Sequence, residues 1–328
     1  MSVPVRKALF AVAVAIAAIW PAAAAAQATA YPTKPVRLIN PFAPGGAVDI
    51  VGRAVAQELA KQWGQPVIVD NRPGAGTTIG AGLVARATPD GYTMLVTSVS
   101  TTVAASVYKN LPFDAAKDFA PVAILAQTPL IFAVNPSVPA KTLQEFIGFA
   151  RGKPGGVSFS SAGAGTITHL AGEFFKLTAK IDGFLHVPYK GGAPSIAAAT
   201  GGEVQAVFEQ SLSILPQART GKLRAIAVTS AKRADFAPEI PTFAESGVPG
   251  FEVIVWNAIL APSGTPRAII NRVNADINRV LQQPEIRERF SSLGLAPGSG
   301  TAAAFSDFFR QELARWARVS KEAGVKIE

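Results

Sequence analysis

Residues 36–57 read VRLINPFAPGGAVDIVGRAVAQ. The first five form an apolar run of strand type, and from Val48 onward apolar residues recur at the three- and four-residue spacing of a helix. Between them lies PFAPGGAVD, Pro41 to Asp49, with two prolines, a Gly-Gly pair and no cation. A strand that passes through a bare turn into a helix opens a βαβ unit. It also puts the turn at the carboxyl end of a strand, where open α/β sheets hold their ligands.

Working outward, the same alternation repeats. A first series runs from VRLIN through a helix at about residues 48–62, strand PVIVD, a helix at about 78–86 and strand TMLVT. A second begins near Thr128 with LIFAVN. It continues through a helix opened by the capping box of Thr142 and Glu145, strand VSFSS, a helix around 167–178, and FLHVPY. A small-residue helix at 194–200, VQAVFE, a helix near 214–220 and LRAIAVT complete it. After the Pro- and Gly-rich stretch 238–250 comes FEVIVWNAILAP, long enough to run between lobes, then helices with no strands between them, expected to return to the first lobe. The fold class is α/β with two lobes, each a mostly parallel sheet flanked by helices. The expected division is 29–127 plus 252–328 for lobe 1 and 128–251 for lobe 2. Two interlobe crossings, near Gln127 and Phe251, would form a hinge.

The first thirty residues stand apart. Arg6 and Lys7, the apolar run Ala8 to Ile19, and small residues from Ala22 to Ala28 read as a secretory signal peptide, residues 1–28, cleaved after Ala26 or Ala28. The competing reading, a retained anchor, fits less well, because Pro21 and the alanine-rich tail suit a peptidase and the apolar run is short of a full span. The 328 residues contain no cysteine, so neither disulfides nor lipid attachment at cysteine is expected; with the leader, this suggests the periplasm of a Gram-negative bacterium. Losing Arg6 and Lys7 takes the formal net charge from +9 to +7, since no acid precedes residue 29. The remaining basic residues interleave with acids at helical spacing in the last third, as on solvated helix faces, so no nucleic-acid partner is expected.

Four glycine-rich turns follow strands and precede helices: residues 41–49, NRPGAGTTIG (71–80), SSAGAGTITH (160–169) and PYKGGAPS (188–195). Glycine lets backbone N–H groups approach an anion, and a helix N-terminus adds about half a positive charge. One such turn is commonly a matter of geometry. Four of them, two in each lobe, point to a cleft that captures a carboxylate or phosphate. The dinucleotide fingerprint G-x-G-x-x-G fails at both candidates, since Ile79 and Thr168 hold the third glycine place. P-loop, G-x-S-x-G and H-E-x-x-H motifs are absent, and the chain has two histidines, His169 and His186, so neither a cofactor nor a metal is expected.

The stretches YPTKPVRLINPFAPGGAVDIVGR, VIVDNRPGAGTTIGA, PDGYTMLV, SSAGAGTITHLAGEFFK, HVPYKGGAPS, TGKLRAIAVTS, PTFAESGVPGFEV and GTPRAIINRVN together resemble the periplasmic receptors of tripartite tricarboxylate transporters, the Bug proteins. The resemblance covers essentially the whole chain after the leader, with the motifs in family order. It implies a Venus-flytrap periplasmic binding protein of type II-like architecture that binds a small organic anion, without bond chemistry, and serves the membrane components of such a transporter. It further implies that the first and fourth turns grip a ligand carboxylate, largely through backbone amides and ordered water. The resemblance further implies a ligand among tricarboxylates, dicarboxylates, amino acids, nicotinic-type compounds and aromatic acids. The absence of cations in the first turn favours a mono- or dicarboxylate, aromatic and amino acids included, and a monomer is expected.

The candidate ligand-binding residues are Phe42, Pro44, Gly45, Gly46, Ala47 and Asp49 in the first turn. Ser161, Ala162, Gly163, Gly165, Thr166 and His169 follow in the third, then Tyr189, Gly191, Gly192, Ala193 and Pro194 in the fourth, and Glu209 at the end of a strand. Each has a plainer alternative. Asp49 would satisfy local N–H groups, Ser161 and Thr166 would cap a helix, and His169 would be structural. An acid at Glu209 suits a ligand amine or hydroxyl, or a hinge or capping hydrogen bond. Ser98 and Ser100 lie where a fifth turn would reach the cleft, and Trp256 belongs to the core. Two other classes remain open: a receptor feeding a sensor kinase, and a secreted hydrolase using one of these serines.

Overall fold

The computed structural model describes residues 31–327. The expected leader lies outside the described residues. Among the described residues no helix is long and apolar enough to cross a membrane.

The opening unit forms as its sequence dictates. Strand β1 (Val36–Asn40) leads through the turn into the helix Ala47–Trp63. The helix buries Val48, Val51, Val55 and Leu59, and stops at Gly64, whose left-handed backbone (φ 64°) returns its N–H to Ala60 O. β2 (Val67–Asn71) and β3 (Thr93–Ser98) pair with β1 in parallel on either side. β9 (Ile254–Pro262) then pairs antiparallel with β3 and with β4 (Phe119–Val134). In the second sheet β5 (Val157–Ser161) pairs in parallel with β6 (Phe184–Pro188) and with β7 (Ala206–Gln210). β7 and β8 (Arg224–Val228) both pair antiparallel with β4.

β4 is the element the two sheets share. Its residues 119–129 pair with β9 and its residues 130–134 pair with β7 and β8. The expectation was a strand starting only at Leu130, with FEVIVWNAILAP as the segment running between lobes. The correction is that β4 begins at Phe119 and spans sixteen residues across both sheets; FEVIVWNAILAP does run between lobes, since Phe251 stacks on Phe243 and Val253 N–H donates to Thr229 O in the second, and from Ile254 β9 pairs within the first. Pro121 sits at an irregularity of the β4–β9 register and Pro129 at the end of that pairing, positions where a missing N–H costs no regular ladder bond.

Two further elements lie beyond the sequence reading. A helix, Ser100–Val107, follows β3, and the two-residue β10 (Ala296–Pro297) pairs with β4 inside the otherwise helical tail. The tail does return to the first sheet: the helix Arg267–Leu281 packs on Ala47–Trp63 and on β4, and the helix Ala302–Glu322 packs on Ser100–Val107 and on β4. Trp256 is buried, and its indole N–H donates to Glu312 Oε2 at 2.9 Å, as does that of Trp316. The second sheet packs around phenylalanines, with Phe132 in contact with Phe146, Phe175, Phe208 and Phe243. Both sheets thus rest on rigid cores and present their strand ends and glycine turns to one cleft.

Candidate functional site

Across the cleft the lobes meet in one backbone-to-backbone and two side-chain-to-backbone hydrogen bonds. Ala43 N–H donates to Lys190 O at 2.8 Å, Tyr108 Oη donates to Ala164 O at 3.0 Å, and Ile167 N–H donates to Ser100 Oγ at 3.2 Å. The glycines are required by this approach. A Cβ on Gly191 (φ +143°) would stand 2.9 Å from Ala43 N, and one on Gly76 (φ +55°) would fall 1.9 Å from Ala164 O. Lys190, given no role from sequence, contributes its carbonyl.

Behind this contact lies an inner cavity of about 20 Å³. Phe42, Gly46, Ala47, Ala162, Gly192 and Glu209 line it, together with Ser98 and Ser100. Val48, Ile167, Thr168 and Gln210 complete the lining, and sequence reasoning missed all four. The signal for three of them was adjacency: each directly follows or flanks a named turn residue at a helix start. The N-termini of the helices Ala47–Trp63, Ser100–Val107, Ile167–Thr178, Gly192–Gly201 and Ser211–Arg219 lie at or beside the lining residues, which puts the positive ends of five helix dipoles around the cavity. Such a volume holds about one water, so an organic acid enters only when the turns separate. Outside the contact, a second cavity of about 220 Å³ is lined by Pro41, Gly74 to Thr77, Tyr108, Ala162 to Ala164 and Pro188 to Lys190.

Other named residues build the walls without facing the inner cavity. Asp49, 4% exposed, accepts from Gly45 N–H at 3.0 Å, Arg53 Nε at 2.9 Å, Asn71 Nδ2 at 2.9 Å and Asn40 Nδ2 at 3.3 Å. Burial pushes its pKa upward, but Arg53 and the Gly45 and Asn71 donors outweigh burial and hold it below the ordinary carboxylate value. Asn71 also donates to Phe42 O at 3.0 Å, so this network fixes the shape of the first turn. Thr166 caps its helix, accepting from His169 N–H and donating to Gly163 O at 2.6 Å. Tyr189 turns its hydroxyl to Glu203 at 3.0 Å. Gly163 and Tyr189 line the outer cavity; Pro44, Gly45, Gly165, Gly191, Ala193 and Pro194 line neither.

Ser161 Oγ lies 2.6 Å from His186 Nε2, the spacing of a nucleophile and its base. The surroundings are not those of a catalytic pair. Ser161 is fully buried and its oxygen accepts Gly163 N–H at 3.1 Å. Burial, with His169 stacked on it at 3.8 Å, pulls His186 down to about 3, too weak a base for neutral pH. His169 accepts Gly165 N–H at Nδ1, and burial lowers it to about 4. The pair ties β5, β6 and the third turn together. Glu209, 2% exposed, receives Gln210 N–H at 3.3 Å on Oε2, while Oε1 has no partner; burial raises it to about 8, opposed by that N–H. Among the described residues no cluster of His, Cys, Asp or Glu is placed to hold a metal ion.

Two α/β lobes sharing a long strand, with glycine turns and helix N-termini facing each other across the cleft, define a solute-binding receptor of the periplasmic-binding-protein fold. Residues 51–325 match the Tripartite tricarboxylate transporter family receptor, and the chain belongs to that family. It is similar to Protein BugT of Bordetella pertussis, 37% identical over 310 residues that cover 93% of this chain and 94% of BugT. A solved structure described as a periplasmic transporter superposes with a TM-score of 0.87 at 39% identity, over 91% of this chain and 100% of that one. An R. palustris protein solved with adipate gives 0.87 at 33% identity, over 90% and 99%. The family is one of solute-binding receptors, so the chain is a receptor and not an enzyme.

Proposed function

We propose that this receptor works in the periplasm, closes its two lobes on a small organic mono- or dicarboxylate, and delivers it to the membrane components of a tripartite tricarboxylate-type transporter. The lobes are 29–127 with 252–328, and 128–251, hinged where β4 passes between the sheets and where the chain enters β9. The observation that carries the reading is the Ala43–Lys190 bond in front of a cavity ringed by helix N-termini. The first turn holds one ligand carboxylate on its amides, and the third and fourth turns close over it. Closure is stabilised only by contacts the ligand makes in the closed form. Adipate in the R. palustris relative supports a dicarboxylate, and the leader with its A-x-A sites supports export.

Thermal unfolding of the refolded protein across organic acids, amino acids and their amides tests the reading. A ligand at about 100 times its dissociation constant adds about 2.7 kcal/mol, a shift of a few degrees for a chain of this length. A shift with one carboxylate and none with its amide supports the receptor. No shift with any acid overturns it.

A further inference from the structure

We propose that Glu209 acts as a neutral carboxylic acid that donates a hydrogen bond to the captured carboxylate, so that closure on the anion takes up one proton. The inference rests on the receptor reading and deepens it at one side chain.

Glu209 is the penultimate residue of β7 and lines the inner cavity. Its carboxyl lies against the start of the helix Gly192–Gly201, where a Cβ on Gly192 would come within 3.0 Å of Oε2. Oε2 is held by Gln210 N–H, and Oε1 is free. The other polar side chains of the lining are engaged. Ser98 and Ser100 bond each other at 3.1 Å, and Ser100 Oγ also accepts Ile167 N–H. Thr168 Oγ1 accepts Ala162 N–H at 2.9 Å, and Gln210 Oε1 accepts Asn257 Nδ2 at 2.9 Å. Among the residues lining this cavity, Glu209 Oε1 is the one buried side-chain oxygen without a hydrogen-bond partner.

No lysine, arginine or histidine lines the cavity to neutralise an ionised Glu209. Of the elements packed on β7, the helix Ile167–Thr178 carries His169, Glu173 and Lys176, and the helix Ser211–Arg219 carries Arg219. The helix Gly192–Gly201, β4 and β5 carry no titratable group. Across the cleft stand Asp49 and its partner Arg53, bonded to each other. None of these groups hydrogen-bonds Glu209. Burial already raises the acid well above the carboxylate range in the closed form. Two carboxylates brought together where no cation lines the cavity repel each other; sharing a proton removes the repulsion and gives Oε1 its missing partner. The contrary arrangement keeps Glu209 ionised and pairs it with a ligand ammonium.

Linkage fixes the sign. An acid that burial on closure raises, to about 8 in the closed form, binds a proton on closure, so affinity falls as pH rises toward that value. The experiment is calorimetric titration at pH 6.5, 7.25 and 8.0, in buffers of different ionisation enthalpy. Adipate and succinate are the probes, compared with 2-aminoadipate and aspartate, on the wild type and on Glu209→Gln. The expected result is affinity weakening by up to about tenfold per pH unit, with uptake of about one proton at pH 6.5 falling to about half a proton at pH 8.0, and loss of both the slope and the uptake in Glu209→Gln. His169 and His186, held neutral far below this range, add no slope of their own. Binding with a flat wild-type profile and no proton uptake overturns the proposal. So does preference for the amino acids over their deamino counterparts with affinity lost in Glu209→Gln, which makes Glu209 an ionised acceptor. Wild type that binds no carboxylate at any of the three pH values overturns the receptor reading itself.

Discussion

The backbone N–H of Ala43 donates to the carbonyl oxygen of Lys190 at 2.8 Å, joining the turn after β1 to the turn after β6. Each partner is a peptide group, so this bond orders no long side chain at the moment of capture. This is the physical reason for the sparse composition of both turns.

Gly191→Ala tests that relationship. The new methyl would stand 2.9 Å from Ala43 N at a backbone angle that side chains rarely adopt, and the clash exists only while the turns are together. The clash falls on the closed form alone, whereas the backbone strain burdens both forms and is read separately as a lower Tm of the unliganded variant. Affinity for the best ligand of the thermal panel is expected to fall by about tenfold to a hundredfold, on the order of 1–3 kcal/mol. Calorimetry reads this directly, and unchanged affinity would show that capture does not bring these turns together.

Asp49→Asn tests whether the first turn is held from behind. Asp49 accepts from Gly45, Arg53, Asn71 and Asn40, and an amide cannot accept from all of them. The variant is expected to lose about 1–3 kcal/mol of stability, read as a lower Tm, and to bind more weakly because Gly45 is no longer fixed. Since the folded-state pKa lies below the ordinary 3.8, the wild-type contribution is full above about pH 4 and is lost as pH falls through the folded value. The variant should lack that component of acid unfolding.

The parts of the fold legible in the sequence are those where a strand, a glycine turn and an amphipathic helix follow one another, as at 36–63 and 157–178. The first half of β4 was hidden because Pro121 and Pro129 break a strand pattern, though the register places them where their missing N–H does no harm. The helix Ser100–Val107 was hidden because it is buried on most sides and so shows little polar periodicity. The cleft turns were legible, but not which atoms face the cavity. Asp49 and His169 stand beside inner-cavity residues in sequence yet point to partners in the walls, and Tyr189 lines the outer cavity with its hydroxyl on Glu203. The contact of Ser161 with His186 depends on the parallel pairing of β5 with β6, which spacing along the chain does not reveal.

Glu312→Ala tests what fixes the tail to the first sheet. One carboxyl oxygen, buried at 4% exposure, receives the indole N–H of both Trp256 and Trp316 at 2.9 Å. Truncation strands two buried donors and opens a gap between β9 and the last helix. Unfolding should move down by about 2–4 kcal/mol, whereas Glu312→Gln, which keeps an acceptor oxygen, should lose less.

The stacked histidines give the receptor an acid limit independent of its cleft. His169 and His186 lie 3.8 Å apart, ring on ring, and are held neutral at about 4 and about 3 when folded against 6.5 for an ordinary histidine. Because the folded pKa values are depressed, the unfolded chain binds more protons below pH 6.5. Stability is then full above 6.5 and falls as pH drops toward 4, by up to about 1.4 kcal/mol per unit for each histidine. His186→Phe keeps a ring beside Phe159, where the imidazole now lies at 5.1 Å, and removes one titrating site. It gives up the hydrogen bond to Ser161, so the variant should be less stable at pH 7. Its stability should nevertheless decline less steeply between pH 6.5 and 4. Urea unfolding at pH 7, 6, 5 and 4.5 compares the two slopes, and equal slopes would mean that His186 is not held neutral in the fold.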